Sequence, residues 1–182
     1  MEKRIAIPKD IVVEIDNMRI TVKGPKGELS KDFDSPLFNH IISIEKNAEI
    51  LINSNSDNRE IRAMVGTICS HINNMILGVT IGFRYNMKVF YSHFPMSITV
   101  RDGSVEIRNF LGEKGARTAK IVGDTTVNVL KDELLLEGID IEEIGQTCAN
   151  IEQACKLSKR DRRIFQDGIY LSGRFLQNGE KI

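Results

Sequence analysis

The 182-residue sequence carries no net charge, because 25 Lys and Arg balance 25 Asp and Glu. No whole-molecule field draws such a chain to a polyanion or a membrane surface, so an electrostatic partner must be met by local patches. Cysteines are few: Cys69, Cys148 and Cys155 form no CxxC and have no histidine at ligand spacing. That argues against a zinc site and a disulfide framework, and makes a reducing cytoplasm the expected compartment. Long apolar runs are missing as well. The N-terminal MEKRIAIPKDI lacks a signal-peptide core, and nowhere do the roughly eighteen apolar residues of a membrane span stand together. Catalytic signatures are also lacking. There is no GxxxxGK[ST] or GxGxxG loop, His40, His71 and His93 are scattered, and no nucleophile, base and orienting group converge in a local motif. The expectation is a non-enzymatic protein with no catalytic residues, cofactor, metal or small-molecule substrate, and no membrane partner.

What is present is enough apolar residue, 41% against 27% charged, to bury a core in one domain or two small ones. Ile11, Val13 and Ile15, then Met18, Ile20 and Val22, alternate with their neighbours on either side of Asp16-Asn17, which reads as a hairpin. A Gly24-Pro25-Lys26-Gly27 turn leads to a third strand near residues 29–33, and two more strands, residues 41–45 and 49–52, pair across residues 46–48. From Ile61 the period changes. Ile61, Met64, Val65, Ile68, Cys69, Ile72, Met75 and Ile76 form one stripe of an amphipathic helix, with Asp57 and Glu60 as a capping-box-like start and Gly78 as its stop.

The second half repeats this plan. Val65-Gly66-Thr67-Ile68-Cys69 with Ile72 aligns with Ile144-Gly145-Gln146-Thr147-Cys148 with Ile151. Ile7-Pro8 aligns with Phe94-Pro95, Met18 and Ile20 with Val105 and Ile107, residues 49–52 with 133–136, and Gly24-Pro25-Lys26-Gly27 with Gly112-Glu113-Lys114-Gly115. A tandem duplication of an α+β unit follows, each copy a small, mostly antiparallel sheet packed on one amphipathic helix. The expected boundary divides residues 1–82 from 83–182, with Phe83, Tyr85, Met87, Val89 and Tyr91 alternating as the opening strand of the second copy.

The copies differ in base. The run RNFLGEKGARTAK, residues 108–120, sets Arg108, Lys114, Arg117 and Lys120 against Glu113 alone. KLSKRDRR, residues 156–163, sets Lys156, Lys159, Arg160, Arg162 and Arg163 against Asp161. By contrast, residues 131–143 hold one Lys among six acids, so the charge is sorted into patches. Glycines allow close backbone approach to a phosphate, and Lys and Arg release counterions on contact, so the two basic runs read as one phosphate-contacting surface. Phe110, Phe165 and Tyr170 interleave with the cations, either to stack on an unpaired base or to serve as small core residues. Cys69 and Cys148 fall on the apolar stripes as small hydrophobes, and Glu142 and Glu143 suit a helix N-terminus. A second reading treats the paired copies as a protein-interaction module that offers sheet edges, with the charges as rim; steep release by salt separates the two.

The run NFLGEKGARTAK after a strand, preceded by FPMSITV and followed by DRRIFQDGIYLSG, resembles large-subunit ribosomal protein six, a universal family, in its archaeal and eukaryotic form. The similarity spans nearly the whole chain, duplication included. It implies a ribonucleoprotein role in translation: a structural constituent of the large ribosomal subunit whose second copy binds large-subunit rRNA near the factor-binding region and its sarcin-ricin loop. Neighbouring ribosomal proteins and nearby translation factors are the implied partners. Carried over by motif, the basic positions are Lys114, Arg117 and Lys120, then Lys159, Arg160, Arg162 and Arg163.

Overall fold

The computed structural model of the chain describes residues 2–34, 41–46, 49–54, 56, 58–157, 161 and 163–182. It separates into two compact units, Met1–Ile81 and Gly82–Ile182.

In the first unit, β1 (Glu2–Ala6), β2 (Val12–Asp16), β3 (Arg19–Gly24), β4 (Gly27–Asp32), β5 (Ile42–Lys46) and β6 (Glu49–Ser54) precede α1 (Arg59–Thr80). The strands form two antiparallel sheets, ordered β2-β3-β4 and β1-β6-β5. Period-two alternation is the cause: Val13, Ile20 and Val22 from one sheet and Ile42, Ile50 and Ile52 from the other are buried, while their neighbours face outward. Their common partner is the stripe Ile61, Val65, Ile68 and Ile72 on α1. Burying an aliphatic side chain of this size is worth roughly 1.5–3 kcal/mol, which far outweighs any propensity term in so small a unit. Where a single sheet per copy was expected, this unit has two three-stranded layers sharing one helix.

Gly78 does not stop α1. The helix passes through it to Thr80, because Ile76 and Val79 on either side are buried and packing overrides the cost of a helical glycine. The left-handed glycine comes later, at Gly82 with φ 79°. Asp57, the expected capping residue, lies outside the described residues, as do His40 and residues 47–48 of the expected β5–β6 turn; the N-cap is Asn58, whose side chain makes no capping bond.

The second unit contains β7 (Phe83–Phe90), β8 (Ser97–Arg101), β9 (Ser104–Arg108), β10 (Arg117–Lys120), β11 (Thr126–Val129), β12 (Glu133–Gly138), α2 (Ile141–Ala154) and β13 (Gly168–Leu176). Its sheets are β10-β9-β8 and β11-β12-β7-β13. The wiring repeats: β8-β9-β10 answers β2-β3-β4, and β11-β12-β7 answers β5-β6-β1. On α2, Ile144, Thr147, Cys148 and Ile151 are buried at the positions of Val65, Ile68, Cys69 and Ile72. Asp140 caps α2 by accepting the Glu142 N–H at 2.8 Å, and Glu143 accepts the Asp124 N–H at 3.2 Å, so these acids hold the fold together. Among the described strands, β13 alone lacks a counterpart in the first unit. It runs antiparallel to β7 with a bulge between Leu171 and Gly173.

Candidate nucleic-acid interface

The connection from β9 to β10 is the first basic loop. It is fastened at its base rather than along its length. Asn109, Leu111 and Gly112 take left-handed φ values of 59°, 52° and 78°, which turns the chain sharply and drives Phe110 inward. The Asn109 amide donates to the Pro95 carbonyl at 2.9 Å. Phe110 is fully buried, at 0% exposure, and so cannot offer a face to a base; the stacking role considered for it is replaced by one in the core. Beyond this anchor residues 113–116 are exposed, with nothing within 4 Å of a Cβ built on Gly115. Lys114 stands at that exposed tip without an ion pair to any described residue.

Arg117 behaves differently from the other cations. Its Nε and Nη2 donate to the two carboxylate oxygens of Glu113 at 2.8 and 2.6 Å, and Nη1 donates to the carbonyls of Ala154 at 2.8 Å and Lys156 at 3.2 Å. The guanidinium also lies 4.2 Å from the centroid of the Phe110 ring. Hydrogen bonding to Glu113 raises its pKa further, so the charge is permanent. The side chain is 25% exposed, and little of its donor set remains for an outside acceptor. In this structure Arg117 serves as a clamp. It ties the first basic loop to the carbonyl end of α2, where a cation is favoured by the helix dipole.

The remaining positions of the first run are surface cations. Lys120 ends β10 and is exposed, and Arg108 pairs with Glu106 at 3.1 Å while keeping 58% exposure. In the second run Lys156 is exposed immediately after α2, its carbonyl held by Arg117. Lys159, Arg160 and Arg162 lie outside the described residues. Arg163 is 90% exposed, with Nε 3.3 Å from Asp161. The segment is then fixed at its far end by Asp167, a carboxylate only 1% exposed that accepts the Ser92 N–H at 2.9 Å and faces His93 Nδ1 at 3.2 Å. His93 stacks on Phe165 with centroids 4.8 Å apart, so one face of that ring is already covered. Tyr170 is 46% exposed and keeps its place as a candidate stacking surface, 6.0 Å from Phe90.

The structure thus brings Lys114 and Lys156 to the two ends of one clamp and leaves Arg108 on a separate ion pair. Three partners escaped the sequence reading: Glu113, Asp167 and Glu152, whose Oε1 accepts the Leu171 N–H at 2.9 Å. Only the short spacing of Glu113 and Arg117 was a visible sign. Among the described residues no cluster of His, Cys, Asp and Glu could hold a metal ion, and no helix is long and apolar enough to cross a membrane.

Comparison with known proteins agrees with the internal duplication. The family model described as Ribosomal protein L6 matches residues 7–82 and again residues 94–168, one match in each unit. A relative named Large ribosomal subunit protein uL6 from Methanothrix thermoacetophila is 52% identical over 93% of this chain and 94% of its own length. Proteins of the same name from Staphylothermus marinus and Methanobrevibacter smithii are each 47% identical, over 93% and 94% of this chain and 92% and 94% of their own lengths. With both halves matched and identity at this level across almost the full length, the chain belongs to the ribosomal protein L6 family.

Proposed function

We propose that this chain is a structural, non-catalytic constituent of the large ribosomal subunit that grips large-subunit rRNA through the basic segments of its second unit. The full-length similarity to proteins named for that subunit supports the assembly. The clamp at Arg117 is the observation that carries the rest: one guanidinium bonds Glu113, next to Lys114, and the carbonyl of Lys156, so two exposed lysines from separate segments are held by a common bracket. Fixed cations on a rigid frame recognise folded RNA by shape and phosphate position, without an ordering cost at each contact. Lys114, Lys120, Lys156 and Arg163 are the contacts in this reading, Arg117 their positioner, and residues 159, 160 and 162 extend the same basic run. The subunit's factor-binding region and sarcin-ricin loop are the location we assign, which sets translation factors and neighbouring ribosomal proteins nearby.

Use of sheet edges by a protein partner is less favourable here, since the Leu171 N–H on the outer edge of β13 is already taken by Glu152. Sedimentation of the purified chain with large subunits tests the reading. Binding should fall steeply with salt, and reversing Lys114 and Lys156 to Glu should weaken it roughly tenfold or more and flatten the salt slope by roughly 0.7–0.9 per lost contact. Reversing Lys9 and Arg19 in the first unit should do neither; equal effects would overturn the assignment to the second unit.

A further inference from the structure

A groove of about 290 Å³ lies where the end of α2 meets the outer edge of β13, lined by Glu152, Gln153, Cys155, Lys156, Ile169 and Tyr170. Its volume is at the bottom of the range of about 300–1,000 Å³ typical of small-molecule sites, which suits one planar heterocycle and is too small for a peptide helix. Strand addition is closed as well. The Leu171 N–H on this edge goes to Glu152, and the bulge between Leu171 and Gly173 interrupts the strand. The walls are of mixed chemistry: Cys155 and Ile169 make an apolar floor, and Tyr170 supplies an exposed aromatic face.

That face is built in advance. The Tyr170 hydroxyl donates to the Gln166 carbonyl at 3.3 Å, and its ring lies so close over Gly168 that a Cβ there would stand 2.9 Å from the ring and the hydroxyl. Around it, Glu152 uses only Oε1 internally, and neither the Gln153 amide nor the Lys156 ammonium bonds another described side chain. An aromatic plane, an acceptor and an amide at the edge, and a cation at the rim form the set that recognises a splayed-out base, with stacking, edge hydrogen bonds and a phosphate contact. A carboxylate only accepts, so it suits a base that presents an exocyclic amino group and disfavours uracil, whose single N3–H donor is flanked by two carbonyl oxygens that would face the carboxylate.

We propose that this groove receives one unpaired, amino-bearing nucleobase of the bound RNA, stacked on Tyr170 and read by Glu152, with Lys156 on its phosphate. The proposal rests on the RNA-binding reading above but goes beyond it, from phosphate grip to base recognition. Two experiments on the intact chain test it. In the first, AMP, CMP and UMP are titrated against isotope-labelled protein: amides of residues 152–157 and 169–171 should shift with AMP and CMP, and at least severalfold less with UMP. The shifts should survive Tyr170→Phe and vanish with Tyr170→Ala. No response in these amides, or an equal response to UMP, overturns the site. In the second, affinity for large-subunit rRNA is compared across variants. Tyr170→Ala should weaken it about tenfold, and Glu152→Gln, which keeps an acceptor for the Leu171 N–H, should relax the discrimination against uracil. If reversal of Lys114 and Lys156 weakens rRNA binding while Tyr170→Ala does not, the groove proposal fails and the basic-loop reading stands. Ultraviolet cross-linking of wild-type protein in assembled subunits gives a readout independent of folding: a nucleotide on Tyr170 supports the site, and a protein neighbour covering Tyr170 overturns it.

Discussion

The two units solve the same problem at the same place with different residues. In the first, the β3–β4 turn is only residues 25–26, and it docks on the end of α1: the Lys26 N–H donates to the Val79 carbonyl at 3.0 Å, the Lys26 ammonium bonds the Ile81 carbonyl, and Gly24 lies flat against Val79. In the second, the equivalent connection is residues 109–116, and the cation that reaches the end of α2 is Arg117, on the far side of the loop. Sequence similarity pairs Lys26 with Lys114, but the structure gives the work of Lys26 to Arg117. Lengthening the loop moved the anchoring duty to a new residue and left a lysine free at the tip. Both copies thus hold a cation at the end of their helix, and the longer loop of the second leaves Lys114 exposed beyond that contact.

The largest expected effect breaks the first unit at its turn. A Cβ on Gly24 would stand 2.7 Å from Val79 Cγ2 and 2.9 Å from the Val79 carbonyl, so Gly24→Ala should cost about 3 kcal/mol. Gly115→Ala, with open space around it, should stay within about 0.5 kcal/mol. Hydrogen exchange of β3 and α1 amides, compared with β10 and α2 amides, would show which unit loosens. Next comes the clamp. Arg117→Met removes one donor from Glu113 and from two carbonyls and should destabilise the second unit by about 2 kcal/mol, whereas Lys26→Met removes a more exposed contact and should cost less than about 1 kcal/mol. Similar losses in denaturant titrations of both variants would contradict the distinction between anchor and turn.

The smallest effect concerns the paired thiols. Cys69 and Cys148 occupy equivalent sites, and burial raises the pKa of both. Lys3 tempers the shift at Cys69, while Glu152 adds to it at Cys148, pushed up to about 12. A disulfide reagent at pH 8–9 should therefore modify folded Cys69 faster than Cys148. Linkage gives the sign of the stability effect. The folded thiol holds its proton above the unfolded value of 9.0, so its contribution is complete below pH 9 and is lost as pH rises toward 12. Denaturant midpoints should fall over that alkaline window, and less so in Cys148→Ala.

Both helical stripes and most strands were legible in the sequence because burial imposes their period directly, as at Val13, Ile20 and Val22 or Ile144, Cys148 and Ile151. What was illegible has physical reasons. In β1 only Ile5 is buried, so no alternation shows; β11 is short and largely exposed; and in β13 the bulge at Leu171–Gly173 breaks the period. At the candidate interface the basic runs were plain, but charge alone does not tell a surface contact from an internal bond. Arg117 reads like Lys114 in one dimension and differs only because Glu113, Ala154 and Lys156 converge on it in three. The burial of Phe110 likewise depends on the left-handed turn around it, which its neighbours in sequence do not announce.

A map of the large subunit containing this chain tests the central claim most directly. The account predicts RNA phosphate oxygens within about 4 Å of the ammonium groups of Lys114 and Lys156, with Arg117 still bonded to Glu113 behind them. Lys114 and Lys156 in open solvent, with the nucleotide contacts made by the first unit, would contradict it.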